Sequence, residues 1–207
     1  MKKTMIIAFT VLFVNVIWSQ DNISYGLKAG LNIAYLNDLE TGDWYEYKSR
    51  LAYHIGGFAE IGFSEQFSVQ PELLFSSLGF KYNESVLSSS LEENTRLEYL
   101  TFPVLVKYYP LNNLSIELGP QLGILLYGKY ESKSSFTDDG ITLYDSRSIN
   151  ITDGLKSLDF SIGVGVGYKL DNGLLFNTRY ILGLTNIYDE TKDKNRAFQL
   201  SVGYVFM

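Results

Sequence analysis

Tyr25, Leu27, Ala29, Leu31, Ile33 and Tyr35 alternate with Gly26, Lys28, Gly30 and Asn32. A period of two places the first set on one face of a strand and the second on the other. The same split recurs from Leu51 to Phe63, where Leu51, Tyr53, Ile55, Ala59, Ile61 and Phe63 oppose His54, Gly56, Glu60 and Gly62. Phe160, Ile162, Val164, Val166 and Tyr168 oppose Ser161, Gly163, Gly165 and Gly167, and Phe198 to Phe206 closes the chain in the same way. With Phe67 to Tyr82, Leu97 to Tyr109, Ser115 to Tyr130 and Leu174 to Asn186, the pattern predicts eight strands. The third is the least regular, because Pro71, Ser77 and Gly79 interrupt its apolar face.

The connections alternate in length. Ser64-Glu65-Gln66, Pro110 to Leu114 and Asp171-Asn172-Gly173 are short, the last with the Asn-Gly step of a tight hairpin. Asn37 to Arg50, Asn83 to Arg96, Glu131 to Ser157 and Ile187 to Asn195 are long and polar, and read as loops. Short turns at one end and long loops at the other, on strands of roughly 11 to 15 residues, fit an antiparallel transmembrane β-barrel with periplasmic turns and extracellular loops. Closure follows from the solvent: in hydrocarbon an open sheet edge leaves backbone groups unpaired, at several kcal/mol each. Tyr25, Phe63, Phe67, Tyr108, Tyr168, Phe176 and Phe206 would mark the periplasmic interface, and Tyr35, Tyr53, Phe160 and Phe198 the outer one. The competing arrangement is a water-soluble eight-stranded barrel with the apolar set inside. Its outer face would be rich in glycine and poor in charge, which suits water badly.

Composition narrows the picture. The 207 residues have no cysteine, one histidine and a net charge of −6. This excludes disulfide frameworks, thiolate sites and a multi-histidine metal centre, and argues against nucleic acid as a partner. Lys2 and Lys3, the apolar run Met5 to Trp18 and the small Ser19 read as a secretory signal peptide over residues 1–19. The run is shorter than the roughly 20 residues a spanning helix needs. Residues 20–207 are then one outer-membrane barrel domain of a Gram-negative bacterium, more acidic once Lys2 and Lys3 are removed.

Tyr99-Leu100-Thr101-Phe102-Pro103-Val104-Leu105-Val106-Lys107-Tyr108 resembles a strand of the PorT-like outer-membrane β-barrel proteins. Gly119-Pro120-Gln121-Leu122-Gly123 is similar to their next strand, and Asp159 to Tyr168 with Arg179 to Ile187 is similar to their last hairpin. The resemblance covers about residues 20–207. It implies an outer-membrane, porin-like barrel of eight strands, handed to the barrel-assembly machinery through a terminal aromatic residue. The usual aromatic end is displaced by one position here, since Met207 follows Phe206. No substrate follows from the resemblance.

Candidate chemistry lies on the inward face. Lys28, His54, Glu60, Glu72, Lys107, Glu117 and Arg179, together with Glu98, Asp159 and Lys169, form the expected inward polar set. Charges in a narrow lumen must be paired or hydrated, and eight strands leave an interior that side chains just fill. Lys107 and Arg179 are expected to be neutralised by Glu60, Glu72 or Glu117, giving a structural network or, alternatively, the lining of a small pore for ions or solutes. No catalytic, cofactor or metal residues are assigned. His54 with a serine and a carboxylate would suit a lipid hydrolase only on the lipid face, and it alternates with that set. Gly163-x-Gly165-x-Gly167 lies on a strand with no helix behind it, unlike a phosphate loop. Asp138, Asp139, Asp145 and Asp153 lack the spacing of a calcium loop. The expected function is non-enzymatic: an integral outer-membrane barrel that meets an extracellular or envelope partner through its loops, chiefly Glu131 to Ser157.

Overall fold

A computed structural model describes residues 22–37, 47–86, 89–138, 141–188 and 192–206. The proposed signal peptide, residues 1–19, lies outside these. Among the described residues nine strands follow in chain order: β1 (Ile23–Asn37), β2 (Tyr47–Gly62), β3 (Phe67–Val86), β4 (Ser89–Leu111), β5 (Leu114–Asp138), β6 (Ile141–Asn150), β7 (Leu158–Lys169), β8 (Leu174–Asn186) and β9 (Lys194–Phe206). All pairings are antiparallel. β1 joins β9, and β4 joins β5, so eight strands close into a ring from which only β6 is excluded.

The alternation sets the two faces of the wall. Leu27, Leu31, Leu51, Ile55, Leu118, Val164, Leu200 and Val202 are exposed, whereas Lys28, Asn32, His54, Glu72, Glu117, Arg179 and Ser201 are buried. Apolar-out and polar-in is the sense required by lipid, opposite to that of a soluble barrel. Register brings the aromatics into rows at the short-turn end, with Tyr25 opposite Phe206, Phe67 opposite Tyr108, and Tyr168 opposite Phe176. Phe67 and Tyr108 rings lie 5.1 Å apart, and Phe63 stacks on Phe67 at 6.2 Å.

The long connections depart from expectation. Most of Asn83 to Arg96 is strand and not loop: β3 and β4 run on as a ladder to Val86 opposite Ser89. Most of Glu131 to Ser157 is also strand. β5 continues to Asp138, and β6 folds back on it from Asp138–Ile141 to Lys129–Asn150. A tilted crossing uses roughly 9–11 residues, so β5, at 25 residues, serves two purposes. Its first part pairs with β7 in the wall, and its last part pairs with β6 beyond it. The outer parts of β3, β4, β5 and β6 thus form a sheet that projects from the long-connection end. Cross-strand contacts pin it: Ser90 and Ser135 hydroxyls meet at 2.7 Å, Asn94 Nδ2 donates to Glu131 Oε2 at 3.3 Å, and Tyr130 donates to Glu93. A 3-10 turn at Thr152–Gly154 then leads into β7.

Candidate functional site

Six inward charges from six strands meet in the lumen. Glu72 on β3 is the hub. Arg179 on β8 engages it with both terminal nitrogens, at 3.0 and 2.9 Å, while Lys28 Nζ on β1 lies 2.7 Å from Glu72 Oε2. Arg179 Nε also donates to Glu117 on β5 at 2.6 Å. Gln70 links this group to the next. Its amide nitrogen donates to Glu72 at 2.6 Å, and its oxygen accepts from Lys107 Nζ at 2.9 Å. Lys107 in turn holds Glu60 at 2.9 Å, and Glu60 also accepts from Ser68 and Tyr109. Three cations and three carboxylates therefore share one connected network, largely removed from water. Pairing of this kind is what makes buried charge tolerable, and the planar guanidinium suits a two-point grip on a carboxylate.

Glycine on β7 makes the space. A Cβ on Gly165 would fall 2.5 Å from the Thr178 carbonyl oxygen and 2.7 Å from Glu117 Oε1. No larger residue leaves room there for the Glu117–Arg179 pair. The triplet Gly163-x-Gly165-x-Gly167 lies within β7 and is followed by β8, with no helix N-terminus to present to phosphate.

His54 does not join the charges. It sits in the next layer, with Nδ1 2.7 Å from Asn32 Oδ1 and Nε2 2.8 Å from Ser201 Oγ. Asn32 Oδ1 also accepts from Gln199, and its Nδ2 donates to Ser76 Oγ and the Ser77 carbonyl. Asn32 Oδ1 can only accept, so His54 Nδ1 carries the proton. The order Ser201–His54–Asn32 is that of a nucleophile, base and orienting group. Ser201, however, alternates with the exposed Leu200 and Val202, so its hydroxyl points into the lumen and away from lipid.

Beyond this layer the lumen turns apolar. Ala34, Leu36, Leu78, Leu97, Tyr99, Leu125, Leu155, Ile181, Ile187 and Ala197 form one buried cluster at the long-connection end. Its polar edge is Tyr99, whose hydroxyl accepts from Asn195, and Asn195 also donates to Asp159 at 3.3 Å. A polar cavity of about 400 Å³ opens at the other end, lined by Asn22, Ser24, Glu60 and Lys169 among others.

Glu98 departs from the expected inward set. It is buried, yet it alternates with Leu97 and Tyr99, which point into the apolar cluster, and it meets Arg96 and the buried Ser77 instead of the network. The reason is arithmetic: Glu98 and Lys107 are an odd number of residues apart on one strand, which places them on opposite faces. The apolar cluster is a second departure from a wholly polar interior. The signal for it lies in the stretch Ile124 to Leu126, where apolar residues occupy both faces. The aspartates of the acidic stretch are dispersed, with Asp145 on β6, Asp153 in the 3-10 turn and Asp139 outside the described residues. Among the described residues no three metal-ligating side chains gather.

The family model for the outer membrane protein β-barrel domain matches residues 18–189. Similar solved structures include the attachment invasion locus protein Ail of Yersinia pestis, at 14% identity over 89% of this chain and 99% of that one, with a TM-score of 0.47. Neisserial surface protein A aligns at 11% identity over 87% and 95%, TM-score 0.44. A major outer membrane protein from Thermus thermophilus aligns at 15% identity over 89% and 99%, TM-score 0.44. No curated protein sequence matches the chain. With a family match spanning most of its length on a closed, lipid-facing ring, the chain belongs to the outer membrane protein β-barrel domain family and resides in the outer membrane.

Proposed function

We propose that this protein is a plugged, non-enzymatic anchor of the PorT-like kind, which presents the projecting sheet of β3 to β6 to an extracellular or envelope partner. Residues 1–19 act as its signal peptide, and Phe206 serves recognition by the barrel-assembly machinery. The observation that carries the reading is the apolar cluster around Leu97, Tyr99 and Ile181, which fills the long-connection end of the lumen with hydrocarbon. Ions crossing there would lose their water without gaining ligands. The charge network below is satisfied within itself and serves to fix the wall.

The test is single-channel conductance in a planar bilayer, with residues 20–207 refolded and folding verified by a heat-modifiable gel band. The expected result is a folded, silent protein. Steady conductance whose ion selectivity shifts with Lys107→Glu would overturn the plugged reading in favour of a small pore. The polar cavity beside Glu60 and Lys169 would be its vestibule.

A further inference from the structure

Among the described residues, β6 pairs with β5 alone, so its other edge presents unpaired backbone groups to water. Free edges of this length are usually blunted by charged side chains, lysine above all, by proline or by a bulge. The segment Ile-Thr-Leu-Tyr-Asp-Ser-Arg-Ser-Ile-Asn contains neither proline nor lysine, its two charges, Asp145 and Arg147, are of opposite sign, and its register with β5 is unbroken. Leu143 is 66% exposed, Tyr144 82% and Ile149 49%.

The order of residues about Ser146 is self-complementary. In an antiparallel pair of two such strands centred on Ser146, Asp145 of one faces Arg147 of the other, and Leu143 faces Ile149. Tyr144 faces Ser148. Directly opposed residues share a face, so one side of the joint sheet carries two opposite-charge pairs and two apolar pairs. Neither Asp145 nor Arg147 has an ionic partner within its own chain among the described residues.

We propose that β6 is a homotypic docking edge: two copies of this chain pair antiparallel through it, with Ser146 on the two-fold axis. The proposal rests on the projecting sheet being the working surface, and it names the partner. β6 runs toward the membrane in every copy, so antiparallel pairing sets the copies head to head. They bridge two facing outer membranes across roughly 30–35 Å, the length of a ten-residue strand.

The chain has no cysteine, so one introduced thiol reports register. Ser146→Cys and Ser148→Cys are reconstituted separately into phospholipid vesicles and mildly oxidised. Both positions lie on one face and are exposed. Across the proposed axis the Cα atoms of residue 146 are about 4.5–5.5 Å apart, within disulfide reach, while those of residue 148 are about 14 Å apart. The expected result is vesicle clustering, with a disulfide dimer for Ser146→Cys and not for Ser148→Cys. Arg147→Asp should slow cross-linking by about tenfold through like-charge opposition, and adding Asp145→Arg should restore it, which a folding defect would not allow. Equal cross-linking at both positions, dimers formed within unclustered vesicles, or a folded protein that never dimerises would each overturn the proposal. The last result would leave a different partner open, and conductance would be unaffected by any of them, so the two readings fail separately.

Discussion

Toward the short-turn end of the lumen, Arg179 is fixed by three hydrogen bonds to Glu72 and Glu117, and Gln70 passes that order on to Lys107 and Glu60. Toward the long-connection end, Leu97, Leu125 and Ile181 pack together with no directional contact at all. The same wall therefore encloses two kinds of filling. Charges specify which strand lies beside which, because each carboxylate accepts only from a donor at the right angle. Hydrocarbon requires only volume and exclusion of water.

The contrast predicts unequal tolerance. Arg179→Ala strands Glu72 and Glu117 in the lumen and should cost about 3–5 kcal/mol, read as a lowered urea midpoint of refolded protein in lipid vesicles. Replacing Arg179, Glu72, Glu117 and Lys28 together by apolar residues of similar volume should recover most of that loss. No recovery would mean that the charges do more than balance one another. Leu97→Ala in the apolar half should cost about 3 kcal/mol from lost transfer energy and a cavity, by the same measurement. Asn32→Ala, in the neutral layer between the halves, should cost about 2 kcal/mol by leaving His54 Nδ1 and Gln199 without an acceptor.

The smallest effect belongs outside the membrane. The hydrogen bond from Lys129 holds the Glu131 carboxyl below the ordinary carboxylate range, with smaller help from Asn94 and Arg96 against slight desolvation. A depressed carboxyl pKa stabilises the folded state above the unfolded value, and that contribution is lost as pH falls through the folded one. Protection of the β5–β6 ladder from hydrogen exchange should therefore decline slightly below about pH 4, whereas Lys129→Ala should remove the pH dependence with little change at neutral pH.

What the residues alone reveal follows the same physical divide. Where one face meets lipid and the other a packed lumen, as from Phe160 to Tyr168, alternation locates the strand closely. Beyond the membrane both faces of β3, β4 and β5 are wet, so Asn83 to Arg96 and Ser132 to Ser135 show no period and read as loop despite forming ladders. β6 is hidden for the same reason. The partners of Lys107 and Arg179 are bounded by parity but not chosen by it, since register depends on closure of the ring and on irregularities such as the one between Ser49 and His54. His54 separates from the charges only once β1 and β9 supply Asn32 and Ser201.

β5 is a single uninterrupted strand from the turn at Leu114 to Asp138, and this has a mechanical consequence. A pull applied at β6 is delivered along the axis of β5, into ladders with β4 on one side and β7 on the other. Force in that direction loads many hydrogen bonds in shear at once instead of peeling them singly. In the proposed anchoring role, the wall would be strongest along the line on which a tether would strain it.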